Sequence, residues 1–343
     1  MLRILVYNGG GVGDALKDML LCQKIKDVLF GECDITHASR HYLFFHRFIG
    51  TIIKKTVSCE EVRDLIFHCE KNEVPEYDLI LHMVRIPRVV FIRGELVRKQ
   101  STKLYDFCMD CQRSWRELFG NNNLYNINYY ALLMGRSWVE QSDIHNVLGV
   151  SRSDEIEIPL TKDELQSLDL FGLRGKEYVT VNRDTDNMNG QAVKIYPISQ
   201  YVHFLKKIKI QYPKICIVLI GRNYDDELGR YVDKNLTGKT TLGETTAILK
   251  YALLHIGSEG GLVHLRHFLA GKSLVFFGPT DSRVYGHAEN INLFSKACPV
   301  CCCWLTKNWS QACILGDSVP RCLSSITADM AFIEFAKFLK PSV

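Results

Sequence analysis

The chain has 343 residues and a formal charge of +4, with 47% hydrophobic and 23% charged residues. This is the composition of an ordinary soluble enzyme, and no run approaches the about eighteen consecutive apolar residues of a membrane-spanning helix. The length exceeds what one hydrophobic core usually serves, so two domains of about 150 to 180 residues are expected.

The opening Ile4-Leu5-Val6-Tyr7 is a short apolar run, followed by Gly9-Gly-Gly-Val-Gly13-Asp14 and then by apolar positions at helical spacing from Ala15 to Leu29. The spacing predicts strand, glycine-rich turn and helix. Met1-Leu-Arg-Ile-Leu-Val lacks the charged, apolar and small-residue succession of a signal peptide, so a reducing, cytoplasmic compartment is expected. Thr51 to Val57, Asp78 to Met83 and Arg88 to Ile92 are further apolar segments that fit strands of a parallel sheet with crossovers. Arg85, Arg88, Arg93, Arg98, Lys99 and Lys103 concentrate positive charge, read here as a solvated surface in preference to a docking face for an anionic partner. Thr161-Lys-Asp-Glu164 is a capping-box pattern that should start a helix. The domain change is placed near residue 155, giving a first domain over 1–155, a second over 156–325 and a terminal helix over 326–343.

The second half repeats the alternation. Tyr178 to Val181, Ile215 to Ile220, His255-Ile256 and Lys272 to Phe277 read as strands; Ser199 to Gln211, Thr245 to Tyr251, Leu262 to Leu269 and Ile326 to Leu339 read as helices. The expected architecture is α/β, with two Rossmann-like domains and ligands bound in the cleft between them.

Gly10, Gly11 and Gly13 sit where a parallel strand delivers its loop to the ligand-binding edge, and Asp14 is fixed beside them. The spacing is not that of a dinucleotide fingerprint, since G-x-G-x-x-G from Gly9 or Gly11 ends on Asp14 or Leu16. A carboxylate there suits a base or a hydroxyl-binding group; the alternative is that Asp14 caps the helix. At Gly257-Ser-Glu-Gly-Gly261-Leu-Val-His264 two adjacent glycines meet a helix start, and the Gly260 and Gly261 amides suit a phosphate. Glu259 is placed to accept hydrogen bonds from ribose hydroxyls, and His264 is either a packed residue or a ligand contact. Lys194 is the natural cation for a diphosphate. Asn182 and Arg183 end the Tyr178 strand at the same edge, and Gly278-Pro-Thr-Asp281 completes the rim.

The tail places six of thirteen cysteines within 25 residues, Cys298, Cys301, Cys302, Cys303, Cys313 and Cys322. The two-residue gap from Cys298 to Cys301 lets both thiolates reach one ion, and Cys298, Cys301, Cys313 and Cys322 are taken as the ligands of a structural iron or zinc. Cys302 and Cys303 are rivals for one of those places.

Taken together, these segments resemble the bacterial ADP-heptose heptosyltransferases, inverting glycosyltransferases of two Rossmann-like domains in the GT-B arrangement. Gly10-Gly-Val-Gly-Asp14 resembles the family's N-terminal loop with its catalytic carboxylate. Lys194-Ile-Tyr-Pro197 resembles the segment whose lysine contacts the donor diphosphate. Ser258-Glu-Gly-Gly-Leu262-Val-His264-Leu and Phe277-Gly-Pro-Thr resemble two further donor-site segments. Glu259-Gly260-Gly261 in place of Ser-Gly-Pro, and the cysteines, are closer in character to the autotransporter heptosyltransferases, which carry a cysteine-ligated iron and act on serine-bearing proteins. The resemblance implies a bacterial enzyme with ADP-heptose as donor, an acceptor that is a protein or a lipopolysaccharide or other surface glycan, and a homo-oligomeric assembly in the autotransporter subfamily. It implies catalysis by Asp14; no aspartate-x-aspartate metal motif is read in the chain, so no catalytic metal is expected. The rival readings are a sugar-nucleotide epimerase or dehydrogenase, disfavoured by the glycine spacing, and a nucleic-acid-binding protein with a zinc knuckle. The latter is disfavoured because only Lys296, Lys307 and Arg321 add positive charge near the cysteines.

Overall fold

The computed structural model describes residues 1–68, 76–83, 85–119, 125–183, 192–299, 303–306 and 309–339. The chain divides into two compact units, Met1–Pro159 and Leu160–Val343.

In the first unit, strands β1 (Leu2–Asn8), β2 (Cys33–Ser39), β3 (Lys55–Val57), β4 (Leu79–His82) and β5 (Arg88–Ile92) form one sheet in the order β3-β2-β1-β4-β5. The first four are parallel, while β5 runs antiparallel to β4 with a register shift between Ile80 and Leu81. The expectation of a parallel strand at Arg88 to Ile92 is thereby corrected. A parallel return needs a crossover of about a dozen residues or more, and the few residues from Met83 to Pro87 allow only a hairpin-like reversal. The strand expected over Thr51 to Val57 shortens to Lys55–Val57, the residues before it forming a turn. One face of the sheet packs Leu5, Tyr7, Ala38, Val57, Val62, Ile66, Tyr77 and Ile80 together. Helix α1 (Val12–Val28) follows β1 and buries Ala15, Leu16, Met19, Leu20, Leu21, Cys22 and Ile25.

In the second unit, β6 (Tyr178–Asn182), β7 (Cys216–Leu219), β8 (Lys234–Asn235), β9 (His255–Ser258), β10 (Ser273–Phe276) and β11 (Ile291–Leu293) form an all-parallel sheet in the order β11-β10-β9-β6-β7-β8. Two of its helices start at reciprocal capping boxes, the first as expected and the second starting the helix at Leu242, ahead of the Thr245 expected from spacing. Thr161 and Glu164 make the reciprocal capping box before Lys162–Leu170, and Thr241 and Glu244 make a second before Leu242–Tyr251. The terminal helix, Ala328–Leu339, places Ala331 and Phe335 in the core beside Phe204 and Phe276. Tyr196 stacks on Phe276 at 3.8 Å and its hydroxyl donates to the Ile326 carbonyl at 2.6 Å. Tyr196 thus anchors the segment that carries Lys194.

Candidate functional site

In an open parallel sheet, ligands bind at the carboxyl ends of the strands where the strand order reverses. In the first unit that point lies between β1 and β4, and in the second between β6 and β9. Both glycine-rich turns found in the sequence fall there, at the ends of β1 and β9.

At the end of β1, the helix begins at Val12 with Gly11 as its N-cap and without a side-chain cap, so Asp14 is a first-turn residue and not the cap. Its Oδ1 accepts from Trp138 Nε1 at 3.2 Å. The turn is held from beneath: Asn8 Oδ1 accepts from the Gly10 amide at 2.6 Å, and Asn8 Nδ2 donates to Asp18 Oδ2 at 2.5 Å. A Cβ on Gly10 would meet Asn8 Oδ1 at 2.8 Å and Asp14 Oδ2 at 2.9 Å. Glycine at 10 is therefore what lets the loop close over Asp14. Lys17 is buried beneath, 5.5 Å from the Trp138 ring centroid. Burial lowers its pKa, while Asp14 and Asp18 pull the other way. Burial likewise pushes the Asp18 carboxyl up, opposed by His37 and Lys17.

The second edge is more densely paired. Lys194 Nζ donates to Glu259 Oε2 at 2.5 Å, Thr280 Oγ1 donates to the same oxygen at 2.9 Å, and His264 Nε2 lies 3.5 Å from Glu259 Oε1. Glu259 is 4% exposed. Burial alone would raise its pKa, but Lys194 and His264 outweigh it and hold the carboxyl far below the usual range. Both its oxygens are thus engaged within the protein, and Glu259 acts here as the counter-ion that positions Lys194. Gly260 is the N-cap of the Gly261–Phe268 helix, with Gly260 half-buried, Gly261 exposed and Leu262 half-buried. Ser258 Oγ is buried and makes no hydrogen bond, a polar atom awaiting a partner at the strand end. Asn182 and Arg183 are turned to other tasks. Asn182 Nδ2 donates to the Ile220 carbonyl at 3.0 Å and Arg183 Nε to Asp225 Oδ2 at 2.9 Å, tying the ends of β6 and β7 together.

The cysteine segment folds back onto this edge. Cys303 Sγ is 3.9 Å from the Pro279 carbonyl, Trp304 is buried against Tyr285, and the Trp309 ring centroid is 5.5 Å from Lys194 Nζ. Burial pushes the Cys322 thiol up to about 12, helped by Cys298, Cys303 and Cys313, and burial raises Cys303 with help from Cys298 and Cys313. Four thiols therefore feel one another. Cys301 and Cys302 lie outside the described residues; among the others, Cys298, Cys303 and Cys313 act on the charge of Cys322. The sulfurs are not drawn to ligand spacing: among the described residues the donor group with all ligating atoms within 4.8 Å is His267, His287 and Glu289.

Sequence reasoning missed Trp138, His287 and Trp309, and it placed Thr280 on the rim with Gly278 to Asp281 without its bond to Glu259; the partners of all four are distant in the chain. It also overlooked Asp184-Thr185-Asp186, an Asp-x-Asp spacing just after Arg183, outside the described residues. The expectation of metal-free catalysis therefore draws no support from the absence of such a motif.

No protein-family profile and no curated protein matches the chain. Solved structures do. A glycosyl transferase family 9 protein from Veillonella parvula is similar with a TM-score of 0.65 at 13% identity, covering 99% of this chain and 98% of that one. The E. coli ADP-heptose lipopolysaccharide heptosyltransferase II gives 0.59 at 13% identity, covering 98% of each chain. The dodecameric iron-containing heptosyltransferase TibC of enterotoxigenic E. coli, solved with ADP-D-β-D-heptose, gives 0.62 at 12% identity, covering 98% of this chain and 76% of its own. At these identities the likeness establishes the fold, two Rossmann-like α/β units as in the GT-B glycosyltransferases.

Proposed function

We propose that the chain is an inverting glycosyltransferase that moves heptose from ADP-heptose to a hydroxyl acceptor in the bacterial cytoplasm, the acceptor being serine residues of an autotransporter-type protein. The observation that carries the reading is Lys194, held by buried Glu259 beside the open Gly260-Gly261 helix start at the strand-order reversal. A fixed cation and unpaired helix amides at one point suit a diphosphate. In the proposed division of roles, the second unit holds the nucleotide, with Ser258, Gly260, Gly261 and Leu262 lining its phosphates and sugar, and the first unit supplies Asp14 on the acceptor side. Asp14 takes the proton of the acceptor hydroxyl, that oxygen forms a bond to the anomeric carbon from the face opposite the departing diphosphate, and ADP leaves as its new charge is met by Lys194 and the amides.

The test is incubation with a panel of sugar nucleotides, with and without EDTA, followed by mass spectrometry. The expected result is slow hydrolysis of ADP-heptose alone and a heptose increment on a serine-bearing acceptor, both undiminished by EDTA. An increment from a different nucleotide sugar overturns the donor; an increment on a surface glycan alone reassigns the acceptor. Dependence on magnesium would move diphosphate recognition toward Asp184 and Asp186.

The cysteines complete the proposal. An all-thiol donor set suits iron or zinc, and we place one structural ion on Cys298, Cys313 and Cys322 with Cys301 or Cys303 as the fourth ligand. Since the segment packs on Pro279 and Lys194, the ion would hold the donor edge in shape without touching the reaction. Elemental analysis of protein purified without added metal is expected to give one equivalent, and serine at Cys313 or Cys322 is expected to remove it and lower thermal stability, because thiolate ligation is part of local folding. Metal near zero in fully active protein would return the cysteines to ordinary thiols.

A further inference from the structure

Behind the donor edge, titratable groups run from Glu259 along the Gly261–Phe268 helix toward its far end. His264 Nε2 faces Glu259, His264 Nδ1 lies 2.9 Å from His287 Nε2, and the His287 ring stacks on His267 at 3.7 Å between centroids, 12° from parallel. His267 Nδ1 in turn contacts the Glu289 carboxylate. His267 sits in the last turn of the helix, while His287 and Glu289 belong to the loop between the Ser282–Tyr285 helix and β11. That loop is clamped: Asn292 Nδ2 donates to the His287 carbonyl at 2.9 Å, and the Ser273 amide donates to Asn290 Oδ1 at 2.8 Å.

We infer that His267, His287 and Glu289 form a binding site for one divalent transition-metal ion of the zinc, cobalt or nickel class, separate from the cysteines. Each residue offers one donor atom, and the three atoms lie within 4.8 Å of one another. Two imidazoles and a carboxylate are a donor set for ions of this class, and such ligands need a second shell that fixes the rings. His264, backed by Glu259, supplies that shell to His287. Bonds of about 2.0–2.2 Å to nitrogen and oxygen require the donors to draw inward. The buried His287 is the fixed point. His267 and Glu289, with side chains 14% and 36% exposed, can turn toward it, opening the stacked rings from parallel. The ion replaces the His267–Glu289 contact, and solvent reaches the remaining coordination position past Glu289.

The test uses the full chain, chelated and then titrated with Co²⁺. Cysteine ligation gives intense sulfur-to-cobalt charge transfer in the near ultraviolet, whereas a nitrogen and oxygen site gives only weak visible d–d bands. The wild type is expected to show a thiolate-free visible component, and His267→Ala and Glu289→Gln each to lose it while keeping any thiolate band. Equilibrium dialysis with Zn²⁺ should show one equivalent fewer in both variants than in the wild type. Glu289→Gln alters an exposed carboxylate and keeps its shape, so an unchanged melting profile separates loss of the site from loss of fold. Wild-type cobalt spectra without that component, or variants with the wild-type spectrum and stoichiometry, would overturn the site. Neither outcome depends on the transferase activity.

Discussion

Asp14→Asn is expected to slow transfer by about 100- to 10,000-fold, the usual cost of removing a general base, while leaving ADP affinity unchanged and the fold intact, with some loss of thermal stability because Asp14 is a counter-charge to buried Lys17. The asparagine keeps the shape of the side chain and still offers an oxygen to Trp138 Nε1, which donates to Asp14 Oδ1 at 3.2 Å. The turn beneath does not depend on the Asp14 charge, because the Gly10 amide is held by Asn8 and Asn8 by Asp18. Loss of rate without loss of fold or donor binding is therefore the signature of a base. Single-turnover measurement with ADP-heptose and acceptor, beside calorimetry with ADP, reads the two separately. Turnover near the wild-type rate in this variant would remove Asp14 from the chemistry.

How much of this was legible beforehand follows from what each element buries. Strands covered on both faces read as continuous apolar runs, and Ile215 to Ile220 and Lys272 to Phe277 were visible for that reason. β2 was not, because its inward positions include Thr36, His37 and Ser39, which are buried but polar. The direction of β5 depends on the length of the connection before it and not on its own residues. The glycine turns, Asp14 and Lys194 were legible because strand ends and helix starts are local patterns. Their partners were not: Trp138 is 124 residues from Asp14, and Glu259 is 65 from Lys194. No local pattern marks a glutamate as the counter-ion of a lysine in another loop, so Glu259 read as an open acceptor for ribose when its oxygens are already engaged.

That pairing gives the second large effect. Lys194→Ala is expected to weaken ADP binding by about 10- to 100-fold, since a hydrogen bond to a charged group contributes about 1.5–3 kcal/mol, and to slow transfer further because the leaving group loses its cation. It should also destabilise the second unit. Glu259 is 4% exposed, and removing one partner of a buried ion pair costs about 3–5 kcal/mol because the other charge is left uncompensated. His264 and Thr280 remain against Glu259, which places the expected loss toward the lower end. The sign of the pH dependence follows from the depressed carboxyl. A group whose folded-state pKa lies below its unfolded value contributes stability that is fully present above the unfolded pKa and is lost as pH falls through the folded one. In the wild type the Glu259 contribution is thus present at pH 7 and declines only below about 4.3, the ordinary glutamate value. Without Lys194, burial favours the protonated carboxyl, so the variant should gain on the wild type as acid neutralises the stranded charge. Denaturant titration at pH 7 and near pH 4 checks this: the stability gap between the two proteins should narrow at the lower pH. An unchanged gap would mean that Glu259 is not the buried charge that Lys194 offsets, and an unchanged ADP affinity would place the diphosphate away from this edge.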